Sequence, residues 1–205
     1  SKGVSIVVNP LIWPYDGPGN GTGISAAIVD YAVSKGIAWF NTAGELAATT
    51  DATSFNGGYW RGQWSDPDND RFLNFSGSDE GMAVYCGYLL GLRWSDWSGG
   101  ATDYDLFIAD YRRSSNSYGT IKLLSGTVQG FPLEGISGVS LCNTNAAAGP
   151  VYDTNKDGFV SLWVQRKSTS SAASAVGDTI ELGVAYGWLE HANSPGSAGI
   201  AFADS

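Results

Sequence analysis

The sequence predicts a mainly β protein, an antiparallel β-sandwich or jelly roll with a small N-terminal βαβ unit. Three observations carry the prediction. From about Ala47 onward, short aromatic and β-branched runs alternate with clusters of Gly, Ser, Asn and Asp, as strands joined by turns do. Helical spacing stands out in TGISAAIVDYAVSKG (22–36). Hydrophobic residues make up 43% of the 205 and charged residues only 15%, enough apolar material to bury a core.

The elements follow in order. Residues 4–8 (VSIVV) are β-branched almost throughout, the pattern of a strand buried on both faces. A turn-rich stretch leads to the helix, where Ile24, Ala27, Ile28, Tyr31 and Ala32 recur at helical spacing. Thr22 is placed to cap its start and Gly36 to end it. IAWFN (37–41) is the next strand, and short joints make the three a right-handed βαβ unit. Beyond it come YWRGQW, RFLNF, MAVYCGYLLGLRW, DYDLFIADY, TIKLL, GFVSLWVQR, TIELGVAYGW and GIAFA. Of these, VYCGYLLGLRW and FVSLWVQRK are long enough to be central strands. SSAASAVG (170–177) reads as a hairpin loop. The expected division is 1–46 for the βαβ unit, 47–198 for the sandwich, and 199–205 for a strand returning to the βαβ unit.

Charge and hydropathy exclude two classes of partner. Eleven Lys and Arg against 20 Asp and Glu leave a net charge of −9, which repels phosphate backbones, so no nucleic-acid partner is expected. No apolar run approaches the roughly 18 residues that a membrane span needs. Low charge, 28 glycines and 8 tryptophans point to an extracellular or cell-surface protein.

Several stretches resemble, in order, the middle of a subtilisin-like serine peptidase. GVSIVVNPLIW, GPGNGTGISAAIVDYAVSKG and IAWFNTAGE are similar to a buried strand, a Gly-rich segment with its helix, and a strand ending near the family's Ala-Ala-Gly-Asn motif. WSDPDND (64–70), GSDEG (77–81), RWSDW (93–97) and DYDL (103–106) resemble features of a β-sandwich inserted in some large members. The resemblance implies a βαβ remnant plus that insert, without the catalytic triad. The family's Gly-Thr-Ser and Gly-His-Gly-Thr motifs are absent, as is an Asp in its Asp-Ser/Thr-Gly setting. Glu45 stands where the family's oxyanion-binding Asn would be, and an ionised carboxylate repels a developing negative charge. The chain is therefore expected not to be an enzyme.

Asp66, Asp68 and Asp70 alternate, as do Asp153, Asn155 and Asp157. Oxygen donors at every second position can wrap calcium, and 153–158 (DTNKDG) matches the opening of a calcium loop. Its twelfth position is Val164 rather than the bidentate Glu, so an EF-hand is excluded. The alternative for both is an Asx-rich turn with no cofactor. His191 is the single histidine. It follows Glu190 in what reads as a strand, where neighbours point to opposite faces, so the two should not converge. Cys86 and Cys142 either form a disulfide, as an oxidising compartment favours, or stay buried thiols. Trp39, Trp94 and Trp163 sit in apolar strands and read as core. Trp13, Trp60, Trp64 and Trp97 lie near turns, available for an interface or for stacking on carbohydrate. Asn20 and Asn74 satisfy the N-glycosylation pattern.

A lone βαβ unit leaves apolar parallel strands without the wide sheet they normally join. The function expected from sequence is thus structural: a non-catalytic subunit that self-associates, as in a filament or surface layer, with Val4, Ile6 and Val8 at the interface. A carbohydrate- or protein-binding module is the first alternative, and a fragment of an active peptidase the second.

Overall fold

The computed structural model describes residues 3–10, 21–41, 58–85, 87–97, 102–126, 132–134, 139–142, 151–168 and 176–192. The elements in chain order are β1 (Ile6–Asn9), α1 (Ile24–Ser34), β2 (Ala38–Asn41), β3 (Gly58–Gln63), β4 (Met82–Tyr85), β5 (Tyr88–Trp94) and β6 (Tyr104–Arg112). They continue with β7 (Ser117–Tyr118), β8 (Lys122–Ser125), β9 (Leu133–Glu134), β10 (Val139–Ser140), β11 (Phe159–Arg166), β12 (Thr179–Ala185) and β13 (Trp188–Leu189). The protein is mainly β, with antiparallel sheets and one small parallel pair, as the sequence predicts.

β1 and β2 run parallel, Ile6 beside Ala38 and Val8 beside Phe40, with α1 between them in sequence. The helix starts one residue later than expected: Gly23, not Thr22, is its N-cap, and no side chain caps it. Its end matches the expectation. Gly36 adopts φ 75°, and Gly36 and Ile37 donate N–H groups to Val33 and Ala32, satisfying the last carbonyls. The β-branched strand is not buried on both faces. Val4, Ile6 and Val8 are 59%, 59% and 69% exposed, because no further strand flanks the pair among the described residues. Trp39 is likewise only half-buried rather than core.

The rest is two sheets packed face to face. One has the order β10-β5-β12-β3, with β9 also on β5; the other is β13-β4-β11-β6-β7, with β8 also on β6. Period-two alternation builds the core between them. Val160, Leu162 and Val164 of β11, Tyr104, Leu106 and Ile108 of β6, and Ile180, Leu182 and Val184 of β12 all point inward. A bulge at Gly183/Val184 breaks the alternation of β5, so that Leu89 and Leu92 both reach the core. Ring contacts tile the outer face of the second sheet: Trp163 meets Phe72 at 5.7 Å and Tyr118 at 5.1 Å, and Tyr85 meets Phe159 at 5.0 Å. On the first sheet, Glu181 bridges Arg61 at 3.0 Å and Arg93 at 2.5 Å, one partner on each neighbouring strand.

The structure departs from two sequence expectations. VYCGYLLGLRW is not one central strand: Val84 and Tyr85 belong to β4 of the second sheet and Tyr88–Trp94 to β5 of the first, so the chain crosses between sheets near Gly87. A uniformly apolar run hides such a crossing, because both halves face the same core. Nor does 170–177 close a hairpin, since β11 and β12 lie in different sheets.

Candidate functional site

Among the described residues, three groups bring acidic or imidazole side chains within 4.8 Å of one another, and the second Asp-rich loop singled out from sequence adds a fourth place. The first loop joins β3 to β4. Asn74 N–H closes it by donating to Ser65 O at 2.8 Å. It lies along the half of β11 that β4 leaves open: Phe72 bridges Gln165, Leu73 N–H donates to Val164 O, and Arg166 N–H donates to Arg71 O. So anchored, Asp66, Asp68 and Asp70 bring carboxylate oxygens within 4.8 Å of one another. The Asp66 side chain is 5% exposed, and its Oδ2 lies 3.9 Å from Arg166 Nη2, beyond hydrogen-bond reach. Its Oδ1 is sealed from solvent with no hydrogen-bond partner. Asp70 Oδ1 accepts from Phe72 N–H at 2.8 Å. Nearby Glu80 is held above the usual carboxylate range, by burial first and then by Asp70, Asp68, Asp66 and Asp79.

The second loop leads into β11. Asp153 Oδ2 accepts from Gly158 N–H, Asn155 Oδ1 from Asp157 N–H, and Asp157 Oδ1 from Phe159 N–H, at 3.0, 3.0 and 2.9 Å. Asp153 is buried, and its Oδ1 has no hydrogen-bond partner. Burial raises its pKa, with Asp157 and Asp110 adding to the shift against the backbone hydrogen bonds of Gly158 and Lys156. The Thr154 hydroxyl donates to Asp110 Oδ2, beside a cleft that Tyr118, Tyr152 and Lys122 also line.

The third group overturns an expectation. Glu190 and His191 do converge, with Asp79, inside 4.8 Å. They sit in a turn just after β13, not in a strand, so alternation does not separate them. His191 Nε2 is 3.0 Å from Asp79 Oδ2, Glu190 Oε2 accepts from Ala83 N–H, and Asp79 Oδ1 accepts from Gly81 N–H. The imidazole thus faces a carboxylate.

The fourth group, Asp103, Asp105 and Glu134, was not legible in sequence. Lys167 Nζ lies 3.0 Å from Asp103 and from Asp105 and donates to Gly126 O. Ser125 on β8 donates to the fully buried Glu134 on β9, linking the two sheets. A lone Glu in a short strand gives no sequence signal of that role.

The remaining candidates divide by burial. Trp60 is 5% exposed, packed edge-on against Phe75 at 4.9 Å, so it belongs to the core and not to an interface. Trp64 is half-buried against Tyr104 at 4.9 Å, and Trp97 is half-buried. Trp94 and Trp163 are buried, as expected. Asn74 is only 5% exposed, which leaves no room for a glycan in the folded chain. Cys142 Sγ lies 3.3 Å from Gly158 O. Trp13, Asn20, Glu45, Cys86 and the returning strand at 199–205 lie outside the described residues. Comparison with family models, with curated proteins and with solved structures found no match.

Proposed function

We propose that this chain is a non-catalytic structural subunit that self-associates through its βαβ unit. The observation that carries the reading is the exposure of apolar side chains on a two-stranded parallel sheet. Ile6 and Phe40 are each 59% exposed and Val8 69%, with Ile28 and Tyr31 of α1 also in water. Parallel pairs are ordinarily covered on both faces and continued at both edges. β1 (IVVN) carries no charge, proline or bulge to block edge pairing. A second copy offers the same uncharged edge, so edge-to-edge pairing of two βαβ units continues the sheet and covers its apolar faces. The non-catalytic part rests on the missing Ser and His motifs. Acidic composition with abundant Gly and Trp supports an extracellular or surface address for the assembly.

The test is sedimentation of the full chain and of Ile6→Lys, with near-UV circular dichroism to report the sandwich separately. Association that grows with protein concentration, lost in Ile6→Lys while the sandwich signal stays, is the expected result. A wild-type chain that remains monomeric at every concentration refutes the reading.

A binding-module reading has one observation of its own. Tyr88 and Tyr186 are 48% and 68% exposed, with ring centroids 6.4 Å apart. Exposed rings of this kind can stack on sugars. Retardation in polysaccharide-containing gels, abolished by Tyr186→Ala, is its test.

A further inference from the structure

We propose that the two Asp-rich loops are a matched pair of binding sites for calcium-sized cations, one at Asp66, Asp68 and Asp70 and one at Asp153, Asn155 and Asp157. The loops share little sequence beyond their oxygen donors and a following Phe. Their backbones nonetheless agree. The fourth residue, Asn69 or Lys156, has φ 61° or 60°, and the sixth, Arg71 or Gly158, has φ 78° or 87°. In each, the seventh residue donates its N–H to the carboxylate of the fifth.

The independent pointer to a ligand is the same in both loops. The first aspartate, Asp66 or Asp153, is more than nine-tenths buried at its side chain or as a whole residue, and its Oδ1 has no hydrogen-bond partner. A desolvated carboxylate oxygen needs a donor or a cation. In the first loop, Asp68 and Asp70 bring carboxylate oxygens within 4.8 Å of that of Asp66. A bound cation converts the repulsion among them into coordination.

Oxygen-only donors select a hard cation, and calcium's adaptable coordination suits irregularly placed oxygens better than the strict octahedron of magnesium. Each loop has a further acid from a neighbouring segment. Glu80 stands by the first, and Asp110 of β6 by the second, its Oδ1 also sealed and without a hydrogen-bond partner. The first loop carries three carboxylates to the second loop's two, so it is expected to bind more tightly.

The experiment uses the full chain, stripped with a chelator, titrated with calcium by calorimetry and with terbium by luminescence, where nearby Trp64 can act as sensitiser. Asp68→Asn and Asp157→Asn are the variants, both at exposed positions. Wild type should take up two equivalents, each variant one, and calcium should raise the melting temperature of wild type more than that of either variant. No saturable uptake up to about 10 mM calcium, beyond the weakest range of extracellular calcium modules, overturns the proposal. So does a single equivalent in wild type, or two equivalents in either variant.

Discussion

Asn69 and Lys156 hold the same left-handed backbone, φ 61° and 60°, three residues after Asp66 and Asp153 respectively. Two residues further on, the loops diverge in chemistry although not in shape. Arg71 occupies φ 78° and Gly158 φ 87°. Only glycine accepts that region without a Cβ penalty, so the two positions should answer substitution in opposite ways.

Arg71→Gly should stabilise the fold by about 0.5–1 kcal/mol, the left-handed penalty relieved less the extra chain entropy of glycine. Gly158→Ala should destabilise by at least about 1–2 kcal/mol from backbone strain alone. A Cβ there would also stand 2.7 Å from the Tyr85 ring. Urea unfolding of both variants in the absence of calcium checks the pair. A loss of stability in Arg71→Gly would show that the arginine side chain matters more than its backbone.

Asp178 gives the pH dependence. The Tyr104 hydroxyl donates to its Oδ2 at 2.8 Å, tying the entry of β12 in one sheet to β6 in the other. Burial raises the Asp178 pKa, and the hydrogen bonds from Tyr104, Thr102 and Ser95 only partly offset it. A raised folded pKa means that the folded state holds this proton more tightly than the unfolded chain. The contribution to stability is therefore present in acid and lost as pH rises from the ordinary carboxylate value near about 4 through the raised one. Asp105, raised by burial despite Lys167, acts with the same sign. Asp178→Asn cannot ionise. Its stability relative to wild type, measured by urea unfolding, should improve between pH values of about 4 and 7. A relative stability that falls over that range would reverse the sign and refute the assignment.

Cys86 and Cys142 are expected to be joined. β10 pairs Ser140 with Tyr88, and Leu141 N–H donates to Gly87 O at 2.9 Å, so the antiparallel register runs toward the two cysteine positions. Peptide mapping under non-reducing conditions should recover the linked pair. Reduction should cost about 4 kcal/mol, since a long loop is closed. Recovery of two alkylated thiols from the oxidised, folded protein would contradict the pairing.

Local pattern alone determined a good deal of this protein. The β-rich texture, the helix with its terminal Gly36 and the parallel first pair follow from spacing, because side-chain direction repeats every two residues in a strand and every 3.6 in a helix. The two Asp-rich loops were equally visible, since their donors sit close in sequence. Contacts made across long separations were not. Nothing local says that residues 82–94 change sheets, that Glu190 and His191 turn back onto Asp79, or that Ser125 meets Glu134. Burial was misjudged for the same reason. Trp60 and Asn74 look available beside polar neighbours yet lie against the core, while Ile6 and Val8 look like core yet stand in water. Spacing fixes which residues share a face; only the tertiary structure decides what that face meets, because the covering surface comes from chain far away in sequence.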